Sequence, residues 1–294
     1  MSARVFLGKT LVGELRPNMG AADAAFEFDA LYAASASRPV LGRWFEDQLI
    51  EPPRAFRGAP LPNYSRNMLP EGALRRVVEA RLGQSDLLEY SMLLRLGGDL
   101  PGAVRVTSDA LDMGPLKDGE RMGRKASDPF RFALSGVQAK LTLSEDDDRL
   151  TVPLEGGDGY WIAKLGSPAF RGLVHNEHLM MAWAHACGLD VPEHRVIHAS
   201  EIENFPEDFE PDQDVLIVRR FDRGERGTRI HQEDFAQIFN ISPEERYTPQ
   251  SADLGWAHYG SIGAVVNALC GKDDHREYMR RLVFMVLSGK TALK

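Results

Sequence analysis

Apolar positions alternate with polar ones early in the chain and recur at helical spacing towards its end, so strands are expected first and helices later. Val5 to Leu7 and Thr10 to Leu15 flank Gly8-Lys9, a spacing that predicts a hairpin with a two-residue turn. Phe26 and Phe28 continue a strand-like alternation, with Tyr32 following less regularly. Pro39, Pro52, Pro53, Pro60, Pro62 and Pro70 mark an irregular stretch. Leu74, Val77, Val78 and Leu82 then predict a helix stopped by Gly83. Leu87, Leu88, Met92 and Leu93 predict another, ended by Gly97-Gly98. Together these make residues 1–112 a small mixed module, and the polar run 113–130, with Gly at 114, 119 and 123, reads as a linker.

Beyond the linker the pattern changes. Phe132 to Leu143 surrounds a small-residue turn, and Tyr160 to Leu165 (YWIAKL) is a compact strand. Met180, Trp183, Ala184 and Cys187 fall at helical spacing before Gly188. Arg195 to His198 and Val215 to Arg219 read as two more strands. Three apolar series follow at helical spacing: Phe235, Ile238 and Phe239; Ile262, Val265, Val266 and Leu269; and Met279, Leu282, Val283 and Val286. Periodicity thus predicts an α+β fold, with residues 131–294 as its larger unit and no internal repeat.

Composition narrows the function classes. The net charge of −8 argues against the chain itself being a main DNA-binding surface, because phosphate neutralisation needs clustered Lys and Arg. The acid is unevenly spread: residues 201–214 (EIENFPEDFEPDQD) are half carboxylate, and SEDDDR at 144–149 holds four consecutive acids, each expected to be a solvated loop or turn. Cys187 and Cys270 each lie in an apolar helical pattern before a Gly, and are expected to be reduced core residues. No run reaches the ~20 apolar residues needed to span a bilayer, and the expected location is the cytoplasm.

Four segments hold candidate chemistry. Around Ser135, Gly136, Val137, Gln138 and Lys140, a small-residue turn between strands lets backbone N–H groups cradle phosphate oxygens, or is an ordinary hairpin. Lys164 is the only charge inside YWIAKL; its ammonium needs a partner, or snorkels to water from an edge strand. Glu177 lies one turn before the Met180–Trp183 face, positioned either to meet that Lys or simply to favour the helix N-terminus. A strand Lys held by a helix Glu is how protein kinases set a lysine against nucleotide phosphates. The fourth segment, VLIVRRFDR at 215–223, is a hinge candidate or a buried strand with a charged end. In the hinge reading Phe221 lines an adenine pocket, while Asp222 accepts from ribose or organises the neighbouring Arg residues.

In order, LSGVQAK, WIAKL, HNEHLMMAWAHACGLDVPEHRVI, VLIVRRFDR and RIHQEDFAQIF resemble the HipA family of bacterial toxin–antitoxin kinases, and LLRLGGDLPGAV resembles the end of that family's N-terminal subdomain. The resemblance covers nearly the whole chain. It implies a kinase-like fold: a small N-terminal subdomain, a kinase N-lobe and the first helices of an incomplete C-lobe. The implied activity is serine/threonine kinase chemistry with ATP and Mg²⁺. Lys164 would then contact ATP phosphates, Arg219 to Phe221 would form the hinge, and Ser135 to Lys140 would lie in the phosphate loop. The implied partner is a HipB-like helix-turn-helix antitoxin, which would supply the DNA contact.

Two departures accompany the resemblance. Where the family continues into Gly-Asn-x-Asp-x-His-x-Lys-Asn, this chain reads GKTALK, with Lys290 at the first Asn and Ala292 at the catalytic Asp. The expectation is a chain truncated before its catalytic loop, without metal ligands and inactive alone, or a non-catalytic antitoxin- or nucleotide-binding module derived from that fold. Its last helices are expected to leave an apolar face exposed and prone to self-association. Ala133 also stands where many family members carry an autophosphorylated Ser. GKT at 289–291 is not a Walker A motif, because Phe284 occupies the position of its first Gly.

Overall fold

A computed structural model describes residues 2–17, 24–48, 55–58, 61–82, 88–108, 138–146, 149–152, 159–167, 170–224, 227–246 and 258–289. The linker expected at 113–130 lies outside them. Two sheets form, each from strands close in sequence. The first has order β4-β3-β2-β1-β5 and is antiparallel throughout. Its strands are β1 (Ala3–Leu7), β2 (Thr10–Pro17), β3 (Ala24–Phe28), β4 (Ala55–Gly58) and β5 (Val104–Thr107). The expected hairpin forms, with Leu7 facing Thr10 across Gly8-Lys9. Tyr32 departs from the strand reading. Asp29 accepts the Leu31 and Tyr32 amides and caps a helix over Ala30–Ala34, so the apolar alternation ends at Phe28.

The second sheet has order β10-β7-β6-β8-β11-β9, antiparallel except for the short β10–β7 pair. It comprises β6 (Lys140–Asp146), β7 (Arg149–Thr151), β8 (Trp161–Lys164), β9 (His194–His198), β10 (Ile202–Glu203) and β11 (Asp214–Arg219). One face carries Leu141, Leu143, Trp161, Ala163, Val215 and Ile217 into the main core. On the other, Leu216 and Val218 pack against Val174 of the helix Leu173–Ala186. The loop reading of SEDDDR needs correction at Glu145, which lies in β6 and accepts the Trp161 indole N–H at 2.7 Å.

Two apolar readings need correction. Trp183 does not face the core; it is 48% exposed and meets Phe284 edge-to-face, because the sheet takes Val174 and Met181 instead. Cys187 and Cys270 are free and exposed, since each follows the last turn of its helix and does not lie on the buried stripe. The expected apolar face on the final helices, Tyr259–Leu269 and Lys272–Leu287, is present: Leu269, Met279, Val283, Val286 and Leu287 are all exposed.

Residues 220–224 and 227–246 join the first module to the second. Asn63 Nδ2 donates to Asn240 O and Asn67 Nδ2 to Ile241 O, both at 2.8 Å. Gln237 Nε2 donates to Tyr64 O at 3.1 Å, and Arg66 pairs with Glu244. Helix Phe235–Ile238 is set by a capping box, in which Asp234 accepts the Gln237 amide and the Gln237 side chain accepts the Asp234 amide.

Candidate functional site: a lysine–glutamate pair on the second sheet

Register decides which side chains share a face. Lys164 pairs with Lys140 on β6 and with Leu216 on β11, so all three lie on the face that packs against helix Leu173–Ala186. Gly172, with φ +75°, turns the chain into that helix. Val174 and Met181 dock on Leu216, Val218 and Val196, and this docking brings Glu177, one turn in, over the sheet. Lys164 Nζ lies 3.2 Å from Glu177 Oε2 and donates to Oε1 at 3.4 Å. The two side chains are 18% and 12% exposed, far from water's full screening yet still reachable. Lys140 stands directly opposite Lys164, and like charges in that position repel. Glu177 thus holds the Lys164 ammonium in place on this face, where it stays within reach of an anion.

Gln138 Nε2 donates to Leu165 O at 3.1 Å, and Leu165 N–H to Ala139 O at 3.0 Å, which fixes the entry to β6 beside the end of β8. Ser135, Gly136 and Val137 lie outside the described residues, as does Ala292. Among the described residues, no three His, Cys, Asp or Glu side chains gather to hold a metal ion.

The remaining sequence candidates lie elsewhere. Arg219 aligns with Trp161, three residues from Lys164 and therefore on the opposite face. Its guanidinium stacks over Tyr160 and Trp161, at 5.3 and 5.4 Å from the ring centroids. Phe221 projects past the strand end, 66% exposed. Asp222 is buried and organises arginines, the second of its two sequence readings. Its Oδ1 accepts Arg220 Nε at 2.9 Å, and its Oδ2 accepts Arg220 Nη2 and Arg223 Nη1, both at 2.7 Å, and the Gly102 amide at 2.8 Å. Burial raises its pKa, but the hydrogen bonds and charges of Arg220 and Arg223 outweigh burial and hold it below the usual carboxylate range.

Asp99, from the first module, completes this cluster at 2.8 Å from Arg223 and 3.4 Å from Arg220. Sequence reasoning did not single out Asp99. A lone acid in a Gly-rich turn carries no periodic signal, and its partners lie some 120 residues away. Gly102 is required where it sits: with φ +71°, it points its amide at Asp222, and a Cβ there would meet the Gln232 backbone nitrogen at 2.9 Å. Glu233 was also missed, although the motif around it was quoted. Burial pushes its carboxyl up to about 7, partly offset by the Arg43 amide it accepts at 2.9 Å. The nearby His231 ring, donating from Nε2 to Leu41 O at 2.8 Å, is held below the usual imidazole value by burial.

Comparison with known proteins matches two parts of the chain to one family. Residues 3–107 match the HipA N-terminal domain and residues 132–291 the HipA-like C-terminal domain. "Putative kinase Y4dM" of Sinorhizobium fredii is 35% identical over 270 residues, covering 90% of this chain and 64% of that protein. A second protein of that organism, Y4mE, carries the same kinase designation and is 28% identical over 240 residues, covering 70% and 54%. The chain therefore spans less than two thirds of either curated relative. Among solved structures, HipA of Shewanella oneidensis MR-1, in complex with HipB and operator DNA, superposes with a TM-score of 0.67 at 18% identity, over 99% of this chain and 70% of that one.

Proposed function

Since the chain belongs to the HipA family, we propose that it carries the nucleotide-binding half of a HipA-type toxin kinase, with Lys164 as the phosphate contact. The observation behind this reading is the 3.2 Å pair between a strand lysine and a helix glutamate, largely buried yet reachable, opposite a second lysine on β6. In protein kinases this pair orients the lysine towards nucleotide phosphates. Gln138 and Lys140 sit at the end of the proposed phosphate loop. Arg219, on the far face, serves the hinge through its backbone position, not its side chain. Phe221, exposed beyond β11, lines the adenine side, and Asp222 holds that turn in place through its arginines.

ATP fits the residues present at its phosphates. The described residues offer no matching cage for Mg²⁺, which would supply charge neutralisation during phosphoryl transfer. With Lys290 and Ala292 where the resemblance expects Asn and Asp, the chain binds nucleotide but does not transfer phosphate alone. The substrate class of the complete activity is a protein serine or threonine hydroxyl. The partner is a helix-turn-helix antitoxin, as HipB accompanies HipA in the Shewanella complex. It would bring the DNA contact that a chain of net charge −8 does not favour.

Titration of the full chain with a fluorescent ATP analogue and Mg²⁺ tests the reading. Saturable binding below millimolar concentration is expected, weakened about tenfold or more by Lys164→Ala, a loss of about 1.4 kcal/mol. Binding that ignores this substitution would refute the site. Labelled phosphate appearing on protein would refute the claim that the chain alone is inactive. The second reading, a purely antitoxin-binding module, predicts no nucleotide binding at all and unchanged partner capture by Lys164→Ala.

A further inference from the structure

Residues 199–213, between β9 and β11, form an open cleft of about 290 Å³ against the second sheet. The chain passes through a short helical turn (Ala199–Glu201), then β10, then Asn204 in left-handed backbone at φ 57°, and returns where Ala199 N–H donates to Gln213 O at 2.9 Å. Its walls are apolar: Ile202, Phe205, Pro206, Phe209 and Pro211. Phe205 and Phe209 back onto the main core with ring centroids 6.3 Å apart, and both remain partly exposed. The two prolines stiffen the walls, so little ordering entropy opposes occupation.

The charged residues of the segment itself are all of one sign. Residues 201–214 contain seven carboxylates and no Lys or Arg. Some of them have a basic side chain within reach. Glu203 lies 3.9 Å from Arg149, Asp212 is 3.2 Å from His198, and Asp214 is 3.0 Å from His175. Glu207 lines the cleft itself, with Asp208 and Glu210 beside it.

We propose that this cleft docks a cationic peptide segment of a protein partner, with one bulky apolar side chain between Phe205 and Phe209 and adjacent Lys or Arg side chains facing the carboxylates. Both halves of the surface are needed to choose the occupant. The apolar walls suit a single aromatic or branched aliphatic anchor, close to the lower size limit of ligand pockets. The acidic rim favours a positively charged flank and repels nucleic acid and anionic lipid. The docking is independent of the nucleotide reading, because β10 is an edge strand three places from β8 in the sheet.

The probe is a fluorescently labelled peptide with one central Trp among four Lys and Arg residues, titrated by anisotropy against the full chain. Saturable binding is expected, weakened by raised salt. Replacing the peptide's Trp by Ser, or its basic residues by Glu, should each weaken binding about tenfold or more. Two variants test the location. Ser200→Trp fills the mouth without removing a core contact, and paired Glu207→Lys and Asp208→Lys reverse the rim. Each should weaken binding about tenfold while leaving the melting temperature and circular dichroism unchanged. Lys164→Ala should bind the peptide as the parent does, which separates this result from any failure of nucleotide binding. No saturable binding up to about 1 mM, equal binding of the Trp-free peptide, or indifference to Ser200→Trp would each overturn the proposal.

Discussion

Two sets of opposite charges lie in this chain, one at the seam between modules and one on the second sheet, and they are built in opposite ways. At the seam between modules, Asp99, Arg220, Asp222 and Arg223 have side chains no more than 5% exposed, with two positive and two negative groups at hydrogen-bonding distance. Arg223 also donates to the Gly102 and Leu100 carbonyls, at 3.0 and 3.1 Å. On the sheet, Lys164 and Glu177 meet through one long hydrogen bond and an ionic contact, keep some exposure and face a second lysine. The first set is neutral, shut off from water and linked to both modules; its chemistry is spent on holding them together. The second joins only one lysine to one glutamate and stays reachable, the condition for meeting an anion. A buried charge is thus no guide to function until its partners are counted.

Breaking the seam network should give the largest effect. Asp222→Ala removes the carboxylate shared by both arginines and leaves two buried guanidiniums with Asp99 alone. A loss of about 3–5 kcal/mol in urea unfolding is expected, from uncompensated burial of charge. A loss below about 1 kcal/mol would mean the network is solvated in solution, and the contrast with Lys164 would collapse.

A second effect at the same seam comes from Glu233, which the network does not neutralise. Its Oε1 is buried without a hydrogen-bond partner, and Gly42 lies so close that a Cβ there would be 2.7 Å away. Tyr64, Asp234 and the Arg43 amide face it, and none supplies a positive side chain. Its pKa is about 7 in the folded chain against 4.5 for an ordinary glutamate, so the folded state holds its proton over that interval. Stability from this group is complete below about pH 4.5 and declines as pH rises through about 7. The expected decline is on the order of 1–2 kcal/mol after allowing for solvent screening. Glu233→Gln should flatten this part of a stability profile measured from pH 5 to 8.5.

How much of this was legible beforehand depended on the range of the interaction. The hairpin at Gly8-Lys9, the helix after Pro70 and strand YWIAKL follow from local periodicity, and the structure has them. The approach of Lys164 and Glu177 was readable because a single apolar residue pattern places each on its element. Tyr32 was misread because Asp29, a cap, overrides an alternation that is only two residues long. Trp183 and the cysteines were misread because a helix pattern shows which residues are apolar, not which of them a sheet will cover. The Asp99 and Glu233 environments were illegible for a simpler reason: both are created by chain segments far apart in sequence, and only docking of the modules buries them.

The sheet pair should behave differently from the seam. Lys164→Ala is expected to cost about 1 kcal/mol in stability, because Glu177 can still recruit water at a partly exposed position. Its consequence for nucleotide binding should exceed its consequence for folding. If stability fell as far as in Asp222→Ala, the pair would belong to the structural class, and its assignment to phosphate would lose its basis.

The smallest effect tests whether the opposite face of the same sheet is only scaffold. Arg195 stacks over Trp161 at 4.7 Å from the ring centroid and donates to Glu145 at 3.3 Å, while Arg219 covers Tyr160 and the same indole. Trp161 is fully buried and is held by its own hydrogen bond to Glu145, so the arginines add to an anchor already fixed. Arg195→Ala should therefore cost only about 0.5–1 kcal/mol, the usual worth of a cation–π contact at a half-exposed site. It should leave nucleotide binding unchanged, since β8 presents Trp161 and Lys164 to opposite faces. A change in nucleotide affinity without a change in stability would show that the two faces communicate through β8, and the division between structural and binding charges would then have to be redrawn strand by strand.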